Sequence, residues 1–319
     1  MKKKRIGVLL GGMSSEREVS LMSGKAILQA LLARGYEALP IEADEQLASR
    51  LREERIEVAF IGLHGALGED GSVQGLLEMM RIPYTGSGIL ASALSMNKRV
   101  SRQIFMQNDL PVPGHIFYPH LPKEGISISR IPFPPPVVIK PCQEGSSVGV
   151  SIVSQVQEIP QAAEKAFEYG GGILIEEYIK GREIQVGILE DRALGAIEIV
   201  PRCTFYSYEA KYTDGLAAHF FPAPIPPGDY ARALDLGLKA HRLLGCEGAT
   251  RVDLLYQDPG KFFLLEVNTL PGMTPLSLLP EIANGVGIPF PELVERILLG
   301  ARLRIKVHDR RGFDREGKG

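Results

Sequence analysis

The 319-residue chain contains no tryptophan, and aromatic residues make up only 7% of it. Its three cysteines, Cys142, Cys203 and Cys246, are an odd number without CxxC spacing. That argues against a disulfide framework or a zinc site and points to a reducing compartment. An excess of either charge is also lacking: 36 basic and 38 acidic residues leave a formal charge of -2. Neither nucleic acid nor an anionic membrane finds an electrostatic footprint there, so small molecules are the expected partners. Long apolar runs are missing too. The start MKKKRIGVLLGG is basic but carries only a strand-length apolar run before the acid-containing SSEREVS, so neither signal peptide nor membrane span fits. The expected location is cytoplasmic. Two common nucleotide signatures are absent as well, GxxxxGK[ST] and a GxGxxG after the first strand.

What is present is 45% apolar residues on a length sufficient for two or three domains. RIGVLL reads as a buried strand, GGMSS as a turn, and EREVSLMSGKAILQALLARG as a helix stopping at Gly35. YEALPI, AFIGL and IPYTG supply further strands, with SVQGLLEMM a helix between the last two. This alternation predicts an open, parallel α/β sheet whose ligands lie beyond the strand carboxyl ends, where GGMSSER and LHGALGEDG sit. One long helix, LASALSMNKRVSRQIFMQNDL, carries Lys98 and ends before Pro111. A small α+β unit extends to about Glu183, and the remainder alternates strand and hairpin around the helix DYARALDLGLKAHRLLG. In that helix His241 shares a face with Leu234 and Leu238 and reads as a packed core histidine. The expected divisions are 1–95, 96–183 and 184–307, with 308–319 a disordered tail.

Two stretches carry chemistry. In VVIKPCQEGSSVGVSIV, β-branched runs flank the glycines, so the loop is predicted to cap a hairpin instead of opening a helix. Gly145, Ser146, Ser147 and Gly149 could bend over phosphates with Lys140 reaching in from the strand end, or could form an ordinary glycine turn. In RVDLLYQDPGKFFLLEVN, pairing Gln257 with Phe262 places Asp253 opposite Glu266 and Arg251 opposite Asn268, all on one face. Val252, Leu254, Tyr256, Phe263, Leu265 and Val267 then form the core face. Two facing carboxylates repel unless something positive lies between them. Hard oxygens from Asp253, Glu266 and Asn268 suit Mg²⁺, which binds a few protein oxygens together with substrate phosphates. The other reading of this face is a solvated salt-bridge cluster around Arg251.

The motifs LLGGMSSEREVS, LHGALGEDGSVQG, MNK, IKPCQEGSSVGV, EEYIKGRE, EAKYTDG, RVDLLY and EVNTLPGMTPLS occur in this order. With them the chain resembles the ATP-grasp superfamily, and within it the D-alanine–D-alanine ligases, from Arg5 to about Val307. The resemblance implies a three-domain ATP-grasp fold, α/β and α+β, with ATP clasped between the second and third domains and the first capping the D-alanine sites. It implies that Lys98, Lys140 and Lys211 contact ATP, that Glu144, Ser146 and Ser147 close over its phosphates, and that Glu176, the segment to Ile179, and Glu183 hold adenine and ribose. Glu177 stands where some members carry lysine, so no contact is assigned to it. Asp253, Glu266 and Asn268 match the family's magnesium ligands, for two Mg²⁺ ions with Mn²⁺ able to substitute. Glu16 and His64 fall at the first D-alanine, Arg251 and Gly272 at the oxyanion, and Ser277 and Leu278 at the second D-alanine's carboxylate. Tyr212 lies in a closing loop with Ser146 and Glu16 as its partners. The implied reaction joins two D-alanines through an acyl phosphate for peptidoglycan precursors, in a protein that dimerises in many members. D-alanyl-D-lactate synthesis by a related ligase and nucleotide-dependent regulation without catalysis are the rival readings.

Overall fold

The computed structural model describes residues 1–201, 217–274 and 277–306. Its first sheet joins β1 (Arg5–Leu10), β2 (Glu37–Glu42) and β3 (Val58–Ile61) in the order β2-β1-β3, all parallel. Helices α1 (Arg17–Ala33), α2 (Leu47–Glu53) and α3 (Ser72–Met80) cover it. Ile6 and Val8 pack with Ile27 and Leu31 of α1, while Leu9, Ala59 and Ile61 pack with Leu51, Val73 and Leu77. Each fully buried aliphatic side chain of this kind contributes about 1.5–3 kcal/mol relative to exposure. The expected fourth strand, IPYTG, is reduced to isolated bridges at Tyr84, to Ala59 on one side and to Arg302 on the other. Pro83 has no N–H to give to a ladder, and Gly86 turns the chain away at φ +85°.

The predicted long helix is also corrected, because it is two: α4 (Ile89–Met96) and α5 (Lys98–Gln107). Asn97 between them is extended, φ -87° and ψ 96°, and its side chain accepts the Val100 N–H at 3.2 Å. An N-cap restarts the helix there and places Lys98 at its first residue.

A four-stranded sheet follows, β4 (His115–Tyr118), β5 (Val137–Pro141), β6 (Ser151–Val153) and β7 (Ile173–Glu177), in the order β4-β7-β5-β6. All its pairs are antiparallel, and α6 (Ile159–Phe167) packs on it through Ile159, Ala163 and Ala166. The glycine and serine loop joins β5 to β6 and so caps a hairpin, as its flanks predict.

The largest sheet comprises β8 (Arg182–Leu189), β9 (Arg192–Pro201), β10 (Ala217–Phe220), β11 (Ala249–Gln257) and β12 (Lys261–Asn268), ordered β10-β9-β8-β11-β12 and antiparallel throughout. One face packs on α7 (Pro227–Leu243) and on residues of α4 and α5, including Phe105. His241 is buried in α7 with Nδ1 2.8 Å from the Thr250 hydroxyl, in keeping with a core histidine. Helices α8 (Leu278–Gly285) and α9 (Phe290–Leu299) then return to pack beside α1 and the first sheet.

The β11–β12 register differs from the expected one near the turn. Gln257 pairs with Lys261, and Tyr256 with Phe262, across a three-residue connection. A bulge between Asp253 and Leu254 then shifts the ladder, so that Asp253 meets Glu266 and Arg251 meets Asn268 after all. The bulge corrects the core face to Phe262, Leu264 and Val267, and turns Leu265 toward a cleft instead of the interior. Residues 307–319, and with them the expected tail, lie outside the described residues.

Candidate active site

Two cavities meet where the three sheets converge. The smaller, about 80 Å³, is lined by Glu16 and His64 from the first sheet's loops, Ser146 from the β5–β6 loop, and Arg251, Asn268, Gly272, Ser277 and Leu278 from the last part of the chain. The larger, about 500 Å³, lies between the second and third sheets and is lined by Lys140, Ser147, Glu176, Ile179, Glu183 and Asp253. Lys98, Glu144, Gly145, Gln185 and Glu266 line both. A reacting group held at that shared wall touches both compartments, which is the geometry a transfer between two ligands requires.

Glu16 closes the loop after β1, and His64 follows β3. The Ser14 hydroxyl fastens the two loops, donating to the His64 carbonyl at 2.7 Å and accepting the Glu16 N–H at 3.2 Å. Nδ1 of His64 lies 3.0 Å from the Leu270 carbonyl oxygen, which can only accept, so that nitrogen carries the proton. Nε2 then accepts from Ser23 at 3.0 Å, and Ser23 in turn accepts the Met273 N–H at 3.2 Å. His64 thus ties the loop containing Gly272 to the first sheet. Glu69, which the sequence reading passed over inside GEDG, lines the same cavity. Burial raises its pKa above the ordinary range; His64 opposes this and the charge of Glu16 adds to it. Burial, then Glu16, likewise raises Glu144. Carboxyl groups crowded this way favour an arriving cation such as an ammonium.

The β5–β6 loop lies down on this cavity. The Ser146 hydroxyl donates to Glu16, and Nζ of Lys98 donates to the Glu144 carbonyl at 2.6 Å. A Cβ on Gly145 would stand 2.8 Å from a Glu16 carboxylate oxygen, so a side chain there would push the Glu16 carboxylate aside. Ser146 and Ser147 both hold left-handed backbone, φ +47° and +62°, at a cost of about 1–2 kcal/mol for each L-residue. Strain kept at a loop tip marks a place where the surrounding contacts, or a ligand, over-determine the shape.

The larger cavity is bordered by buried charges. Lys140 Nζ and an Arg102 guanidinium nitrogen each lie 2.9 Å from Glu176, on different oxygens. Burial alone would raise Glu176, but Arg102 and Lys140 outweigh it and hold the carboxylate below its ordinary range. Its side chain is therefore engaged with these cations, while the segment through Ile179 forms the adjoining wall. Arg102 follows Lys98 by one helical turn, a spacing visible in the sequence but not used. Lys98 lies 3.0 Å from Glu266, whose charge overcomes burial and raises the lysine above its usual range.

Arg251 forks onto Asp253 with bonds of 2.8 and 3.0 Å, and Asn268 accepts the Leu270 N–H at 3.0 Å. The face thus holds both the predicted oxygen set and the rival Arg251 ion pair. Among the described residues no group of three or more His, Cys, Asp or Glu is arranged for a metal. Asp253 and Glu266 nevertheless face one another across the ladder beside the larger cavity, and Asn268, paired with Arg251 in the next row, lines the smaller, so hard-oxygen donors stand where the two cavities meet. Ser277 occupies the N-cap of α8, but its hydroxyl accepts the Thr274 N–H at 3.0 Å and makes no capping bond. A Cβ on Gly272 would meet that hydroxyl at 2.7 Å, so glycine leaves room for Ser277 at the cavity wall. Lys211 and Tyr212 lie outside the described residues.

A family model described as D-ala D-ala ligase C-terminus matches residues 128–299, and one described as D-ala D-ala ligase N-terminus matches residues 42–87. The chain belongs to the D-alanine–D-alanine ligase family. It is 56% identical over 305 residues to the D-alanine–D-alanine ligase of Geotalea uraniireducens, covering 96% of this chain and 98% of that protein. The ligase of Geobacter sulfurreducens is 56% identical over 309 residues, 96% of each chain. Among solved structures, D-alanine–D-alanine ligase from Bacillus anthracis complexed with ATP superposes with a TM-score of 0.81 at 36% identity, over 93% of this chain and 96% of that one. The fold read from the sequence, ATP-grasp with a parallel amino-terminal sheet, is therefore that of the family.

Proposed function

We propose that this protein is an ATP-dependent D-alanine–D-alanine ligase that phosphorylates the carboxylate of one D-alanine and passes the acyl group to the amine of a second. The observation that carries this reading is the shared wall, where Lys98, Glu144, Gly145, Gln185 and Glu266 border both the nucleotide-sized cleft and the smaller polar cavity. Glu16, next to Ser146 and His64, receives the first D-alanine's ammonium in a cavity that already favours positive charge. The amino end of α8 at Ser277 and Leu278 receives the second carboxylate on its positive dipole end. Arg251 and the backbone at Gly272 face the oxygen that becomes negative when the second amine attacks. Ser147 and the neighbouring lid residues, with Lys140, Lys98 and Lys211, contact the phosphates. The wall from Glu176 to Glu183 takes adenine and ribose. Tyr212 completes the closure with Ser146 and Glu16.

Asp253, Glu266 and Asn268 would hold Mg²⁺, and Mn²⁺ in its place, at two ions. Such ions offset charge on the transferred phosphoryl group. Among the described residues no helix is long and apolar enough to cross a membrane. The need for ATP places the reaction in the cytoplasm, where its dipeptide supplies peptidoglycan precursors. A homodimer belongs to the same reading.

Competition decides the acceptor. With equal D-alanine and D-lactate at neutral pH, mass spectrometry is expected to find D-alanyl-D-alanine as the main product; a dominant depsipeptide would overturn the acceptor assignment. An attacking D-alanine must lose its ammonium proton whereas D-lactate need not, so dipeptide formation rises from mildly acidic pH upward.

Lys140 gives ATP binding its own signature. Burial lowers it to about 8, with Glu176 opposing and Arg102 and Lys98 reinforcing the shift. Near pH 8 the empty site therefore holds Lys140 only partly protonated, and a polyphosphate beside it restores the proton. ATP affinity should fall as pH rises through that value, with proton uptake on binding. Calorimetry at pH 8 in buffers of different ionisation enthalpy reads the uptake; heats independent of the buffer contradict it.

A further inference from the structure

Gln185 was not singled out by the sequence, yet it sits at the junction of the two cavities. It lies on β8, directly opposite Asp253 of β11, and Asp253 lies directly opposite Glu266 of β12. In antiparallel strands, directly paired residues project from the same face, so Gln185, Asp253 and Glu266 form one row across three strands. The next row along the same face is Gly187, Arg251 and Asn268, in which glycine leaves the β8 end without a side chain. Gln185 is thus the β8 side chain in register with Asp253 and Glu266, and it carries the oxygen-bearing row beyond β11 and β12. It is 5% exposed, and its amide oxygen has no hydrogen-bond partner among the described residues.

A buried carbonyl without a donor loses about 1–3 kcal/mol of hydration that nothing replaces. A donor brought in with a ligand would supply the missing bond. The row supplies the identity of that ligand, since two carboxylates and an amide oxygen in line select a hard cation and its bound water. Asp253 and Glu266 are engaged by Arg251 and Lys98, so a third oxygen on the same row adds to the cation's surroundings without competing for those two bases.

We propose that Gln185 belongs to the divalent-cation site, its amide oxygen accepting a hydrogen bond from water bound to the cation held by Asp253 and Glu266. The inference rests on the metal reading given under Proposed function. Gln185 is in this account a positioning residue for the cation's water and hence for the cation itself.

Mn²⁺ binding to the full chain, with a non-hydrolysable ATP analogue present, is read by electron paramagnetic resonance for wild type, Gln185→Leu, Gln185→Glu and Glu266→Gln. Gln185→Leu should weaken Mn²⁺ binding about tenfold, the lower end of losses on removing an outer partner of a metal site. Gln185→Glu, which keeps an acceptor at the same place, should bind Mn²⁺ at least as well as wild type. Analogue affinity measured in EDTA should be the same in wild type and Gln185→Leu, which a general structural defect would not spare. If Gln185→Leu cannot be purified folded, Gln185→Asn, whose amide is drawn back from the row, takes its place with the same expected loss. Unchanged Mn²⁺ affinity in the Leu or Asn variant, while Glu266→Gln binds Mn²⁺ weakly, overturns the role of Gln185 alone. Unchanged affinity in Glu266→Gln overturns the metal reading beneath it.

Discussion

Arg251→Met is expected to lower kcat about 100- to 1,000-fold at saturating ATP and D-alanine, the usual loss when one donor to a developing oxyanion is removed. The effect follows from where the guanidinium is held. Arg251 lies on β11, which is paired on both sides by β8 and β12, so its backbone has little freedom. Its side chain lines the smaller cavity with Glu16, Gly272 and Ser277 while forking onto Asp253. Methionine fills similar volume without the charge, and loss of the charged bonds to Asp253 costs about 2 kcal/mol in stability. Assays run well below the melting transition separate that cost from catalysis. Arg251→Lys keeps the charge but not the planar fork, so its kcat should fall between the two. A folded Arg251→Met protein with undiminished kcat would remove Arg251 from the reaction.

Glu266→Gln should raise the Mg²⁺ concentration needed for half-maximal turnover by at least about tenfold. Glutamine preserves size and one acceptor oxygen but removes the charge that pairs across the ladder with Asp253. It also removes the charge that keeps Lys98 above its usual pKa, so that lysine becomes easier to deprotonate in the cleft. Titration of ADP release against Mg²⁺ reads the shift. An unchanged midpoint would mean that the facing carboxylates serve only the ion pairs to Arg251 and Lys98.

The hairpin shows how far alternation in a sequence reaches. The opposition of Asp253 to Glu266 and of Arg251 to Asn268 was legible, because side chains alternate with a period of two. The three-residue turn and the bulge that compensates for it were not legible, and two compensating shifts leave the far end of the ladder unchanged. Helical periodicity likewise ran unbroken through Asn97, since the break depends on one side chain choosing the Val100 N–H. The candidate residues from Glu16 to Leu278 that lie within the described chain all border one or both cavities, and their grouping came from motif order. Gln185 and Arg102 stood beside those motifs, but their significance depends on partners distant in the chain, Asp253 and Glu176 respectively; Glu69 stood inside one of them, five residues after His64, in a loop where neither helical nor strand periodicity relates the two. Local pattern carries no information about such pairings until the sheets are assembled.

In the proposed reaction a phosphoryl group passes from ATP in the larger cavity to a D-alanine carboxylate in the smaller one, across their shared wall, before the amide forms. D-alanine labelled with ¹⁸O in both carboxylate oxygens tests it directly, with the released phosphate analysed by mass spectrometry after incubation with ATP and Mg²⁺. Attack of the carboxylate on the γ-phosphorus leaves a labelled oxygen bridging carbon and phosphorus, and amine attack on that carbon expels it with the phosphate. One ¹⁸O should therefore appear in phosphate for each dipeptide made, and ADP should remain unlabelled. Unlabelled phosphate, or label in AMP, would rule out an acyl phosphate on the way to the dipeptide.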